Sequence, residues 1–395
     1  MTAPILTLDA TATDGRYHRQ ELISWWDQSR LRTARVLVVG AGALGNEIVK
    51  SLALLGVGHL DIVDMDKVEH ANLARCVLFR DGDEGQPKAE VVAAAASMLN
   101  PDVTAVAHNM AIQQLGLGFL NDVDLVIAGL DSREARLWVG QSCRKLGMYW
   151  VDGAIEGLRG LVRVFLPEGA CYECTLGETD RKIMAQRRAC ALLSVGEMAT
   201  GKVPTNATTA SVIAAIEVQE AVKLIVGRGD LLALHNSALM YVGETLETYE
   251  VSYTEDEFCA SHDRYEDLIA LPVFPQTSLE DVVIAGHLRL GEHLDAIELE
   301  DDLIIAAHCN NCGHHCSVLR SLRSLSAGDG RCPTCEEELT LEARRVFEPT
   351  DDILAVRLLD LHLAERDVIT VRRGSRRAQF ALTPANSTRT GQESR

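Results

Sequence analysis

The chain lacks any run of about 18 apolar residues, so no segment qualifies as a membrane-spanning helix. Its opening stretch, Met1 to Gly15, has neither a basic start nor a long apolar centre, and no secretory signal is expected there. Positive charge is scarce. Thirty-eight Lys and Arg stand against 57 Asp and Glu, for a net charge of -19. That balance argues against a binder of nucleic acid or of a membrane surface. It suits a basic protein partner, but plain solubility is the simpler reading. No internal repeat is present. What remains is an ordinary composition, 47% hydrophobic and 24% charged, over 395 residues, enough for about two or three domains.

From Val36 to about Asp152 the pattern alternates between strand and helix. Strands are predicted at 36–39, 60–64, 103–108, 124–128 and 149–152, and helices at 43–55, 87–99 and 132–146. A further helix is predicted over 17–30, around the pair Trp25-Trp26. The alternation points to an α/β fold with a Rossmann-like, doubly wound mixed sheet. Residues 159–166 and 246–253 read as later, antiparallel strands, with a long helix from Thr208 to Val226 between them. Pro272 and Pro275 break the pattern near 272–277. Beyond them a small α+β unit is expected, with a helix at 278–287 and a strand at 303–307. Residues 385–395 are polar and expected to be disordered.

The strand Val36–Val39 runs into Gly40-Ala41-Gly42-Ala43-Leu44-Gly45, and a helix follows. Such a turn lets backbone approach a phosphate, and the helix N-terminus favours its charge. Asp64 closes the next strand, 24 residues after Gly40, where an acid binds ribose hydroxyls. An NAD-dependent oxidoreductase needs no more than that. This chain adds Asp66, then Asn72 and Arg75, then Lys88, and finally Asp131 after the fourth strand. Arg75 and Lys88 are cations able to meet a triphosphate. One carboxylate plus substrate phosphates is a normal way to hold Mg2+. The set describes an ATP·Mg2+ site better than an NAD site.

In these residues the chain resembles the ThiF/MoeB/HesA and ubiquitin-activating-enzyme superfamily of adenylyltransferases. The matching pieces are Arg16-Tyr17-His18-Arg19-Gln20, the Gly40–Gly45 turn, Leu55–Gly58, Asp64-Met65-Asp66, Asn72–Arg75, Gly85–Lys88 and Asp131, over roughly residues 16–262. Ala43, Cys76 and Ser132 depart from the usual Gly, Gln and Asn. The resemblance implies adenylation of the C-terminal glycine of a ubiquitin-like or sulfur-carrier protein, with Asp64 on the ribose, Arg75 and Lys88 on the phosphates, and Asn72 orienting them. It also implies Asp131 on Mg2+, a homodimer in which Arg19 reaches the partner's ATP, and a cytoplasmic location.

Eight of the 11 cysteines lie in or near C-x-x-C or C-x-x-H spacings, which in a chain of this size read as metal ligands rather than disulfides. Cys309, Cys312, Cys332 and Cys335 have the spacing of a tetrahedral Zn2+ site. His308, His314, His315 and Cys316 are alternative ligands nearby. Cys171 and Cys174 form a second knuckle. By resemblance its mate is Cys259 with His262, an acceptable fourth ligand. Cys190, after Arg187-Arg188, stands where ubiquitin-activating relatives carry the cysteine that takes the activated protein as a thioester, and the two arginines would favour its thiolate. The alternative is an adenylyltransferase with no thioester step of its own. The expected organisation is therefore residues 1–271 for adenylation, with the crossover and cysteine segment at about 175–207, and residues 272–384 for a zinc-containing unit. Relatives that form thioesters carry a ubiquitin-fold domain at that place, which docks a carrier enzyme.

Overall fold

The computed structural model describes residues 15–178, 180 and 204–385. Cys190, most of the crossover segment and the tail from 386 onward lie outside the described residues.

Among the described residues the chain builds two sheets. The first takes β1 (Arg35–Val39), β2 (His59–Val63), β3 (Thr104–His108), β4 (Leu125–Ala128), β5 (Trp150–Glu156), β6 (Arg159–Phe165), β7 (Ser237–Val242) and β8 (Glu247–Ser252). Their spatial order is β3-β2-β1-β4-β5-β6-β7-β8. The pairs from β3 through β5 are parallel and those from β5 through β8 antiparallel. The inner parallel strands β1 and β4 are short apolar runs because both of their faces are covered. The helices Ala43–Leu55, Lys88–Leu99 and Ala207–Ile225 cover one face around Ile48, Leu52, Val92 and Ile213. The helix Arg133–Leu146 and the 112–120 segment cover the other, around Phe119, Val139 and Trp150. Strand order reverses between β1 and β4, so the ends of those two strands form the crevice where ligands of such sheets bind.

The sequence reading placed these helices and the parallel strands to within a few residues. One expected helix, 17–30, is instead two short ones, His18–Glu21 and Gln28–Thr33. Asp27 starts the second: its carboxylate accepts from the backbone N–H groups of Ser29 and Arg30 at 3.0 and 3.1 Å, an N-cap in which Asp27 itself is extended and so breaks the helix.

The second sheet contains β9 (Leu268–Val273), β10 (Ala296–His308), β11 (His315–Ser321), β12 (Thr340–Phe347), β13 (Val368–Arg373) and β14 (Arg376–Pro384). Its order is β11-β10-β13-β14-β9, with β12 on β10. β9 is an edge strand parallel to β14. The chain has therefore already entered this sheet at Leu268, before the break expected at 272–277, and edge placement tolerates the missing N–H of Pro272. The helix Leu279–Leu290 packs on it through Leu279, Val282 and Val283. Arg323 lies over the Trp138 ring at 5.7 Å, and the Gly118 N–H donates to the Arg366 carbonyl at 2.7 Å, which ties the second sheet to the first. No helix among the described residues is long and apolar enough to cross a membrane.

Candidate functional site

Gly40 leaves β1 at φ +95°, a left-handed conformation that disfavours side chains. A Cβ there would also stand 2.7 Å from the Gly129 carbonyl oxygen, so the turn after β1 and the turn after β4 are in direct contact. At Gly45 a Cβ would meet the Gly40 carbonyl oxygen at 1.8 Å, whereas around Gly42 the space is open. The helix Ala43–Leu55 starts there with no side chain capping it, leaving its first N–H groups turned to that space.

Asp64 supports the turn. One carboxylate oxygen accepts from the Ala41 N–H at 2.7 Å, the other from the Asp66 N–H at 2.8 Å. Burial raises its pKa, with Lys88 and the two N–H donors pulling the other way. Each oxygen retains a lone pair for a further donor. Lys88 Nζ lies 2.8 Å from Asp66 Oδ2. Burial works against its charge, but Asp64 and then Asp66 outweigh that, and its pKa sits above the usual lysine value. Asn72 is buried, and its side-chain oxygen accepts from the Glu69 N–H at 2.9 Å. Arg75 donates to the Ala71 carbonyl at 2.7 Å. Asp131 is exposed just past β4, and among the described residues no cation or donor holds its carboxylate. Ser132 caps the next helix by accepting from the Ala135 N–H at 3.2 Å, the polar duty left open by its departure from Asn. Arg19 is exposed on the helix His18–Glu21. Cys76 is buried, and its thiol is pushed up to about 11, so it is no nucleophile at neutral pH.

Two features of the site escaped the sequence reading. Asn46, fully buried on an apolar helix face, donates to the carbonyls of Ala41 and Gly42 at 2.8 and 3.0 Å and accepts from the Leu78 N–H at 2.9 Å. It fixes the Gly-rich turn to the segment after Arg75. The second is a buried ionic cluster below the turn that carries Asp131. Asp152 receives Arg136 Nε at 2.9 Å and Arg163 Nε at 2.8 Å. Arg136 also donates to the Leu130 carbonyl and, at 3.1 Å, to that of Gly153. Glu217 of the long helix reaches Gly153 with both oxygens buried and without a hydrogen bond among the described residues. The only signal for such groups in sequence is a polar residue interrupting an apolar face.

The cysteines assemble into two four-ligand clusters, each with ligand atoms within 4.8 Å of one another. In the first, Cys171 Sγ stands 3.7 Å from Cys174 Sγ and 3.6 Å from Cys259 Sγ, and Cys174 Sγ is 3.3 Å from His262 Nε2. A tetrahedron with zinc–sulfur bonds of about 2.3 Å needs sulfur separations of about 3.8 Å, so this donor set fits Zn2+. Glu255 lies 3.4 Å from His262 Nδ1, the carboxylate that metal-bound imidazoles commonly have behind them. In the second, Cys309–Cys335 and Cys312–Cys332 are each 3.5 Å apart. His308, His314, His315 and Cys316 are not part of this cluster.

Several known proteins are similar to this chain. The chain is 33% identical over 264 residues to the SAMP-activating enzyme E1 of Haloferax volcanii, an alignment covering 64% of this chain and 90% of that one. It is 41% identical over 156 residues to the NEDD8-activating enzyme E1 catalytic subunit of Arabidopsis thaliana, covering 36% of this chain and 34% of that one. Among solved structures, E. coli MccB with ATP is similar in fold, with a TM-score of 0.53 at 22% identity over 64% of this chain and 75% of that one. Residues 17–259, more than half the chain and the whole span from the first short helix through β8 to Cys259, match a single family, and this chain belongs to it: the ThiF family.

Proposed function

We propose that this chain is an ATP-dependent activating enzyme that adenylates the C-terminal glycine of a ubiquitin-like or sulfur-carrier protein. The observation that carries the reading is the site at the β1/β4 crevice: an uncapped helix N-terminus facing open space, Asp64 and Lys88 beside it, and past β4 an exposed Asp131 that is unpaired among the described residues. The names of the archaeal and plant relatives support the same substrate class.

In this reading Asp64 keeps its two backbone donors and takes the ribose hydroxyls on its remaining lone pairs. Lys88 and Arg75 meet the phosphates, Lys88 exchanging Asp66 for a phosphate oxygen, and Asn72 orients them. The unpaired Asp131 fits Mg2+, which would neutralise phosphate charge when bound. The acceptor's carboxylate oxygen bonds to the α-phosphorus as the bond to the β-phosphate breaks, and pyrophosphate leaves. Arg19 of a second copy completes the site in a homodimer. The Cys171 and Cys309 clusters hold Zn2+ as structural staples. The region from 272 onward serves to dock a carrier protein.

Cys190 is the proposed acceptor for the next step, in which its thiolate attacks the acyl carbonyl and AMP leaves. Intact-protein mass spectrometry with a candidate ubiquitin-like protein and ATP·Mg2+ tests both steps. A thiol-labile adduct, lost in Cys190→Ala, is expected. Pyrophosphate release without an adduct would leave adenylation standing and remove the thioester. Neither product, with partners shown to bind, would overturn the proposal.

A further inference from the structure

Among the described residues Asp131 has no side-chain partner of its own, so the backbone that carries it decides where its carboxylate points. The backbone around it is held from both sides. Ser132 caps the helix that follows, and the carbonyl of Leu130 receives a hydrogen bond from Arg136, one turn into that helix. Arg136 is in turn immobilised: Asp152 takes its Nε at 2.9 Å, and Gly153 O takes its Nη2 at 3.1 Å. Asp152 is itself gripped by Arg163, whose guanidinium lies over the ring of Tyr172 at 5.0 Å. Tyr172 belongs to the Cys171–Cys174 knuckle. A buried line of contacts therefore runs from the knuckle to the residue before Asp131.

Two guanidiniums around one fully buried carboxylate is an expensive way to stabilise a core, since apolar side chains of similar size do as well. Such a cluster is well suited to holding a backbone carbonyl at one position, because a guanidinium presents its donors in a rigid fork.

We propose that Arg136 is a positioning residue for the Asp131 carboxylate, acting through the Leu130 carbonyl, with Asp152 and Arg163 fixing its orientation. The inference rests on the reading of Asp131 as the Mg2+ carboxylate. Arg136 touches neither nucleotide nor metal.

The test is ATP binding by calorimetry, on the full zinc-loaded chain, as a function of Mg2+ and again with no Mg2+ added. Arg136→Lys keeps the charge and loses the fork. The half-saturating Mg2+ concentration should rise roughly ten-fold or more, the usual effect of losing a group behind a metal ligand. ATP affinity without Mg2+ should not change. An unchanged Mg2+ dependence in a folded variant would overturn the proposal. So would an equal loss of affinity with and without Mg2+, which marks a general structural defect. If Arg136→Lys does not fold, Asp152→Asn, which keeps side-chain shape and withdraws one charge, asks the same question with the same outcomes. Mg2+-independent ATP binding in the wild type would instead bring down the Asp131 reading, and this inference with it, before any variant is measured.

Discussion

Replacing Glu217 by glutamine gives the most quantitative test of the buried cluster. Its side chain sits on the long helix at 0% exposure, and neither oxygen has a hydrogen-bond partner among the described residues. Burial, and then the negative charge of Asp152, push its pKa well above the ordinary carboxylate value despite Arg136 and Arg163. In the unfolded chain the same carboxyl titrates near 4.3, to within about a unit. Between those two values the folded protein retains a proton that the unfolded chain has released. Stability from this group is whole below the unfolded value and is lost as pH rises toward the folded one, at about 1.4 kcal/mol per pH unit. Glutamine has nothing to titrate. The stability difference between Glu217→Gln and wild type should therefore move toward the variant by that slope throughout the window. The new amide donors, unpaired in the same pocket, cost about 1–3 kcal/mol, but that cost is independent of pH, so the slope is diagnostic and the offset is not. Urea unfolding of both proteins with saturating Zn2+ at several pH values between 5 and 8 measures it, and all other titrations cancel in the difference. Parallel curves would refute the reasoning, since they require Glu217 to be ionised in both states across that range, held so in the folded one by the two arginines.

Asn46→Ala should lower stability by about 2–5 kcal/mol, because it leaves the Leu78 N–H and the Ala41 carbonyl unpaired in the core, and chemical denaturation would show it. Gly153→Ala should cost about 1–3 kcal/mol by overpacking, since its Cβ would stand 2.3 Å from Glu217 Oε2, and a melting curve equal to wild type would contradict that contact. Elemental analysis should find two Zn2+ per chain, and removing them with a chelator should lower the melting temperature. Iodoacetamide at pH 8 should leave Cys76 unmodified in the folded protein, as read by peptide mass spectrometry, because burial holds its thiol near 11.

The parallel half of the fold was legible because each strand there is an apolar run and each helix an apolar stripe, with Gly56 and Gly147 closing two of the helices in the left-handed conformation. The second sheet was not. β10 has 13 residues, but Glu298, Glu300, Asp301 and Asp302 break its apolar pattern, and only the stretch from Leu303 onward reads as strand. The pairing with β12 shifts register across that acidic stretch, so the residues that look least like a strand mark an irregularity in one. β12 exposes most of its residues, and a strand without a buried face has no alternation to detect.

The candidate site divides in the same way, for a different reason. Gly40, Asp64 and Asp131 follow strands, and Lys88 starts a helix, that the pattern already places, so their spacing is enough to bring them to one crevice. The cysteine clusters were legible because a metal's ligands come in short, fixed spacings, even though Cys174 and His262 are 88 residues apart. Arg136, Asp152, Arg163 and Glu217 follow no spacing rule. They lie on a helix, two neighbouring strands and the long helix, and they meet only because those elements pack together. Three of the four are charges that gain nothing from being adjacent in sequence. A buried cluster of this kind is visible only once the chain is folded, and for that reason the residue that orients Asp131 could not be found by the reasoning that found Asp131.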